Sequence, residues 1–208
     1  MVGQGVLREC LLASEVDNVL AIGRSTSGFR HEKLRELLRS DLLDLSAMES
    51  ELAGYNACFF CLGVSSFGMA EEQYRHITFD ITLAVARTLA RLNPETTFIY
   101  VSGAGTDSSE SSRTMWARVK GRTENALLQL PFHGYMFRPA AIVPLHGIKS
   151  RTKSYRFLYA LMTPVLPWLY LHLPKYVTTT EQLGRAMIKV AREGTTKRVL
   201  ESIDINRL

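Results

Sequence analysis

The chain is short of several things, and each shortage closes a class of function. Three cysteines among 208 residues cannot complete a set of disulfides, which excludes a disulfide-stapled secreted scaffold. Cys58 and Cys61 have the Cys-x-x-Cys spacing but sit inside the apolar run Ala57 to Leu62. On a strand that odd separation sends the two thiols to opposite faces. No second pair completes a metal site, so no metal is expected. Long blocks of like charge are also absent: the net charge is +5, but the basic residues are spread along the chain, which gives no footprint for nucleic acid. No secretory leader is visible, and the expected compartment is the cytoplasm. The longest apolar stretch, Phe157 to Leu173, carries Pro164 and Pro167 inside it and Pro174 just beyond. It falls short of the roughly 20 residues of a straight membrane span.

What is present is an alternation of short apolar runs with amphipathic ones, in a chain that is 46% hydrophobic and large enough for one sizeable core. Residues 3 to 13 read as a helix, with Val6, Leu7, Cys10 and Leu11 at helical spacing. Asn18 to Arg24 reads as a short buried strand, Leu34 to Leu38 as another, and Ser46 to Ala53 as a short helix. Ala57 to Leu62 is the most apolar strand, followed by a helix over residues 71 to 92 whose stripe is Ile77, Ile81, Val85 and Leu89. Thr97 to Val101 and Gly134 to Phe137 are further strands. Between them lie a polar loop, Asp107 to Ser112, with helix-capping residues, and a helix from Arg113 to Leu130. This pattern predicts an α/β fold, a doubly wound parallel sheet covered on both faces. After Pro144 the character changes: residues 145 to 208 read as a small helical C-terminal lid or substrate segment of the same globular unit. Its basic flank (Lys149, Arg151, Lys153, Arg156) and Tyr159, Trp168 and Tyr170 keep peripheral membrane contact open. In the closing helix, Thr178-Thr179-Thr180-Glu181 is a capping-box pattern, Leu183, Ala186, Met187 and Val190 form the buried face, and Gly194 ends it.

The residues that point to chemistry cluster around two strand-helix junctions. Ser102 ends an apolar strand, and about a dozen residues later Trp116 and Lys120 stand four apart on one helical face. A serine, an aromatic and a lysine in that order suit a hydride-transfer site. Each has a plainer reading: a strand-end turn for Ser102, and a core aromatic packing its helix on the sheet for Trp116.

The order from the glycine-opened first helix through Arg24, Asp41-Leu42, Cys61-Leu62-Gly63-Val64-Ser65, Ser102, Val119-Lys120-Gly121 and Phe137-Arg138-Pro139 resembles an atypical short-chain dehydrogenase/reductase. It looks most like the small epimerase-like proteins related to the Tat-interacting oxidoreductase. The resemblance covers residues 1 to about 140 and implies a Rossmann-like dinucleotide-binding domain over residues 1 to 144. It implies cofactor contacts from Val2, Gly3, Arg24, Asp41, Leu42, Leu62, Gly63 and Lys120, and a catalytic site at Ser102 and Lys120. A guanidinium at Arg24, after the second strand, matches a 2′-phosphate bidentately, which favours NADP over NAD. A solvated surface arginine is the alternative.

Two departures from that family qualify the expectation. Only Met1-Val2-Gly3 precedes the first helix, so the strand that would deliver Gly-x-x-Gly-x-x-Gly is missing, and Met1 is expected to be an internal methionine of a longer protein. Without that central strand the chain is expected to bind cofactor poorly, with unpaired edges in its sheet. The second departure is Trp116, which stands where the family has its proton-transferring tyrosine. An indole N–H donates a hydrogen bond but does not serve as a neutral-pH acid. Lys120 itself, Tyr100 or a water would have to take over. The expected function is therefore an NADP-dependent oxidoreductase or epimerase-like enzyme on a small substrate. A non-catalytic dinucleotide-binding redox sensor or scaffold is the alternative, a membrane-associated module the third reading, and a homodimer is compatible with the fold.

Overall fold

The computed structural model describes residues 1–148 and 175–208. The apolar segment Phe157 to Leu173 and its basic flank lie outside the described residues. The elements are helix α1 (Val2–Leu12), strands β1 (Val19–Gly23) and β2 (Leu34–Leu38), helix α2 (Glu49–Leu52) and strand β3 (Ala57–Phe60). Helix α3 (Glu71–Arg75) comes next and runs through a π-helical turn (His76–Asp80) into α4 (Ile81–Leu92), then come β4 (Thr97–Val101), α5 (Met115–Leu128) and β5 (His133–Arg138). The chain ends with β6 (Ala141–Val143), β7 (Val177–Thr179), α6 (Thr180–Glu193), β8 (Val199–Glu201) and α7 (Ser202–Ile205).

These elements form two compact units. One comprises Met1–Ser40, Pro139–Gly194 and Glu201–Leu208; the other comprises Asp41–Arg138 and Thr195–Leu200. The α/β character and parallel pairing expected from the sequence are present, but the described strands form three sheets rather than one: β1-β2, β3-β4-β5-β8 and β6-β7. The pairs β1-β2, β3-β4, β4-β5 and β6-β7 are all parallel.

In the first unit, β1 and β2 are joined by ten residues without a helix, short for a parallel crossover. The connection is held locally: Ser27 N–H donates to Glu36 Oε1 at 2.7 Å, and Gly28 supplies a positive φ of 84°. Contrary to expectation β1 is half-buried along its whole length. Helix α1 buries Val6, Leu7, Cys10 and Leu11, as its periodicity requires, and packs on α6 through glycines. A Cβ at Gly5 would lie 2.5 Å from Thr180 Cβ, and one at Gly184 would lie 2.7 Å from Glu9 Cγ. The cap of α6 differs from the expected box by one residue. Thr179 is the N-cap, its hydroxyl accepting from Gln182 N–H at 2.9 Å, while the Gln182 side chain donates to the Ile205 carbonyl instead of closing the box. Gly194 ends the helix at φ 67°, and Leu183, Ala186, Met187 and Val190 are buried as predicted.

In the second unit, the inner strands β4 and β5 are the buried ones, while β3, the most apolar in sequence, is an edge strand of its sheet and half-buried. Phe98 stacks on Phe132 with centroids 5.0 Å apart and on Phe60 at 5.8 Å. The predicted stripe of the 71–92 helix holds at Leu89 and misses elsewhere for a local reason. The π turn inserts a residue and rotates the later turns of the helix, so the buried side chains are Tyr74, Thr78, Thr82, Leu83, Ala86, Leu89 and Ala90, with Ile77, Ile81 and Val85 only half-buried. The buried Thr82 hydroxyl is satisfied by the Thr78 carbonyl at 2.6 Å.

Candidate functional site

Strand β4 ends at Val101, and the next residue, Ser102, is buried at the head of a glycine-bearing loop. Its backbone N–H donates to the Phe137 carbonyl at 2.8 Å, extending the parallel pairing with β5 by one step. The loop from Gly103 to Ser112 then folds back over α5. Asp107 N–H donates to the Ala117 carbonyl at 3.1 Å, and a Cβ on Gly121 would fall 1.7 Å from the Asp107 carbonyl oxygen. Glycine at 121 is therefore a steric requirement for backbone approach. Asp107 caps its own loop rather than the helix: its carboxylate accepts from the N–H groups of Ser109, Ser111 and Ser112 and from the Ser109 hydroxyl, which holds its pKa below the usual carboxylate value. Thr114, the N-cap of α5, makes no side-chain cap.

This strapping brings the residues singled out in the sequence to one place. The Lys120 ammonium donates to the Ser102 carbonyl. The Ser102 hydroxyl donates to the Glu124 carboxylate, with the Phe137 carbonyl also within reach at 3.2 Å. Trp116 is half-buried, and its ring lies over Gly105, whose Cβ would be 3.3 Å from the indole edge. Burial pulls the pKa of Lys120 down to about 8, partly opposed by the attraction of Glu124. Tyr100 is unsuited to donate a proton here: its phenol is buried, and burial, then Tyr74 and Glu124, push its pKa upward. Cys58 is a half-buried strand thiol whose pKa burial raises to about 12.

Glu124 was missed in the sequence. It is 1% exposed, and Arg138 from the end of β5 (11% exposed) chelates it, Nε lying 3.0 and 3.1 Å from the two carboxylate oxygens. Arg138 also donates to the Ser108 hydroxyl at 2.5 Å. The available signals were a carboxylate one turn after Lys120 and an arginine closing the next strand.

The other expected cofactor residues divide between the units. In the first, Val2 and Gly3 form the start of α1, and Arg24 comes just after β1, exposed and without a hydrogen bond or ion pair among the described residues. In the second, Asp41 caps a turn by accepting from Leu43 N–H at 2.9 Å, Leu42 and Leu62 are half-buried, and Gly63 is exposed in the loop after β3. Within the second unit, the Lys120 ammonium has one acceptor among the described residues for its three protons.

No protein-family model matches the chain. It is similar to Leucinostatins biosynthesis cluster protein T of Purpureocillium lilacinum, 24% identical over 220 residues that cover 90% of this chain and 80% of that protein. It is also similar to Protein FMP52-2, mitochondrial, of Scheffersomyces stipitis, 29% identical over 133 residues, 62% of this chain and 56% of that protein. Among solved structures it is similar to DesIV, a dTDP-glucose 4,6-dehydratase from Streptomyces venezuelae with NAD and TYD bound. The TM-score there is 0.66, at 15% identity over 95% of this chain and 71% of that one. It is similar as well to the UDP-glucose 4-epimerase of Thermotoga maritima with UDP-glucose, with a TM-score of 0.62 and 14% identity over 93% of this chain and 70% of that one. The chain has the Rossmann-like α/β fold of such epimerases and dehydratases. No helix among the described residues is long and apolar enough to cross a membrane.

Proposed function

We propose that this protein is an NADP-binding oxidoreductase or epimerase-like enzyme acting on a small carbonyl or alcohol substrate. The observation that carries the reading is the Lys120 ammonium held against the head of the loop after β4, where Ser102 begins the turn of a parallel sheet. A bound nicotinamide dinucleotide supplies or accepts the hydride. What the chain contributes is charge and a proton. With a pKa near 8, Lys120 carries its proton at neutral pH yet gives it up readily, so it serves a developing alkoxide as general acid where Trp116 has no acidic proton to offer. Arg24 is assigned to the 2′-phosphate, Val2 and Gly3 to the phosphate side, and Asp41, Leu42, Leu62 and Gly63 to the adenosine side, all on the resemblance. The names of the structural neighbours mention NAD, so the preference for NADP rests on Arg24 alone.

Titration with NADPH and NADH, followed by nicotinamide fluorescence, tests the reading. NADPH is expected to bind more tightly, Arg24→Ala to abolish the difference, and Lys120→Ala to remove turnover of an aldehyde and ketone panel. Absence of binding by either nucleotide overturns it. Two observations favour a second reading, a dinucleotide sensor or scaffold without turnover: the Ser102 hydroxyl is already engaged by Glu124, and the Trp116 ring covers Gly105. That reading expects cofactor binding with no turnover in any panel. Cell fractionation separates the expected cytoplasmic location from the mitochondrial one named for FMP52-2.

A further inference from the structure

Nothing in the proposed chemistry requires an acid at the position of Glu124, yet the second unit buries one there against a largely covered arginine. Its carboxylate receives the Ser102 hydroxyl from the end of β4 and the Arg138 guanidinium from the end of β5, while Lys120 stands one turn before it on α5. We propose that Glu124 is the positioning residue of this site: it fixes the Ser102 turn that Lys120 grips and sets a carboxylate one turn along α5 from the Lys120 ammonium.

The groups around it bear this out. From α5 itself come Lys120 and Thr123; from β4 comes Tyr100, and from the residue that follows the strand Ser102; from β5 comes Arg138; and Tyr74 of α3 faces Tyr100. Arg138 and Lys120 are the cations of the set and Glu124 is its carboxylate. Arg138 is spoken for by Glu124 and Ser108. Desolvation works against the Lys120 charge, and the attraction of Glu124 is what opposes it. Arg138 holds the Glu124 carboxylate in place, Glu124 holds the Ser102 hydroxyl, and the Ser102 carbonyl receives the Lys120 ammonium, so the geometry of all three reaches the loop. The functional meaning of Ser102 and Lys120 rests on the proposed reading; the coupling of Glu124 to them does not.

The test is competitive acetylation of the full-length protein by acetic anhydride across pH 6 to 10, with Lys120 followed by peptide mass spectrometry and Lys33 and Lys189 as internal standards. Glu124→Gln is expected to move the Lys120 midpoint to lower pH, raising its labelling at pH 7 by about fivefold as the neutral amine gains population. Glu124→Asp, which retains the charge, falls between the variant and the wild type. Should Glu124→Gln fail to fold, Glu124→Asp carries the test with a smaller rise. A merely structural role predicts a different result: loosening raises labelling at every pH and in the standards without moving the midpoint. Folded variants whose Lys120 midpoint stays at the wild-type value overturn the proposal. NADPH titration of the same samples keeps the two inferences apart, since a shifted midpoint in a protein that binds no nucleotide upholds Glu124 and removes the functional reading.

Discussion

Glu124 and Glu9 are both buried carboxylates on helices, one in each compact unit, but their partners differ. Glu124 is chelated by an arginine that is only 11% exposed, and it also receives a serine hydroxyl. Glu9, 5% exposed, meets Arg8 at 2.5 Å and Arg185 at 3.4 Å, and Arg185 is 64% exposed. The glycines beside them differ in the same sense. A Cβ on Gly121 would meet the Asp107 carbonyl at 1.7 Å, whereas one on Gly184 would meet the root of the Glu9 side chain at 2.7 Å and Val6 Cα at 3.3 Å. The second unit holds its charges and loop in a dry, fixed arrangement, and the first leaves its ion pairs within reach of water. Desolvated partners have no alternative when one is lost; solvated ones do.

The largest expected effect breaks the comparison at the glycines. Gly121→Ala cannot be accommodated without moving the 103–112 loop, and is expected to cost more than about 3 kcal/mol in urea unfolding, against about 1 to 3 kcal/mol for Gly184→Ala, where the shallower clash is met by a small shift of α1. Arg138→Met strands Glu124 and is expected to cost roughly 3 to 5 kcal/mol. The matching Arg185→Met should stay below about 1 kcal/mol, and equal losses at the two arginines would dissolve the contrast.

A pH series sharpens it. Lys120 titrates near 8 in the folded chain against 10.5 for an ordinary lysine. Below pH 8 folded and unfolded chains both hold the proton, and the folded state bears the full cost of burying it. Between about 8 and 10.5 only the unfolded chain keeps it, so stability rises with pH. Lys120→Met is therefore expected to stabilise the protein at pH 7 by on the order of 2 to 3 kcal/mol, an advantage that disappears by about pH 10.5 in thermal melts. The smallest effect lies at the α6 cap: Thr179→Ala should cost about 1 kcal/mol through its lost cap.

Much of the element order was legible because burial writes periodicity into sequence. The strands 19–23, 34–38 and 97–101 and the helix α1 stand within a residue or two of where their apolar spacing put them. The features that escaped did so for physical reasons. A π turn leaves no composition signal, so the buried face after His76 was misplaced by one residue. Thr178 and Thr179 are chemically alike, and only the path of β7 decides which one caps α6. Whether an apolar run lies inside a sheet or at its edge depends on neighbours, which is why β3 proved less buried than β4. The proximity of Ser102 and Lys120 was readable from strand-helix spacing. Glu124 was not, because a glutamate on a helix ordinarily faces water, and only its meeting with Arg138 gives it a reason to be inside.

The seating of α1 on α6 has a consequence for how the protein is made. Val6, Leu7, Cys10 and Leu11 leave the ribosome long before the glycine-bearing helix that covers them: Glu9 and Arg185 are 176 residues apart. At about 5 to 20 residues per second, α1 waits roughly 10 to 35 seconds for its partner. Through that interval its apolar stripe is open to whatever else is nascent nearby. The first unit closes only once α6 has been made, while residues 41 to 138 have all but one strand of their sheet well before then.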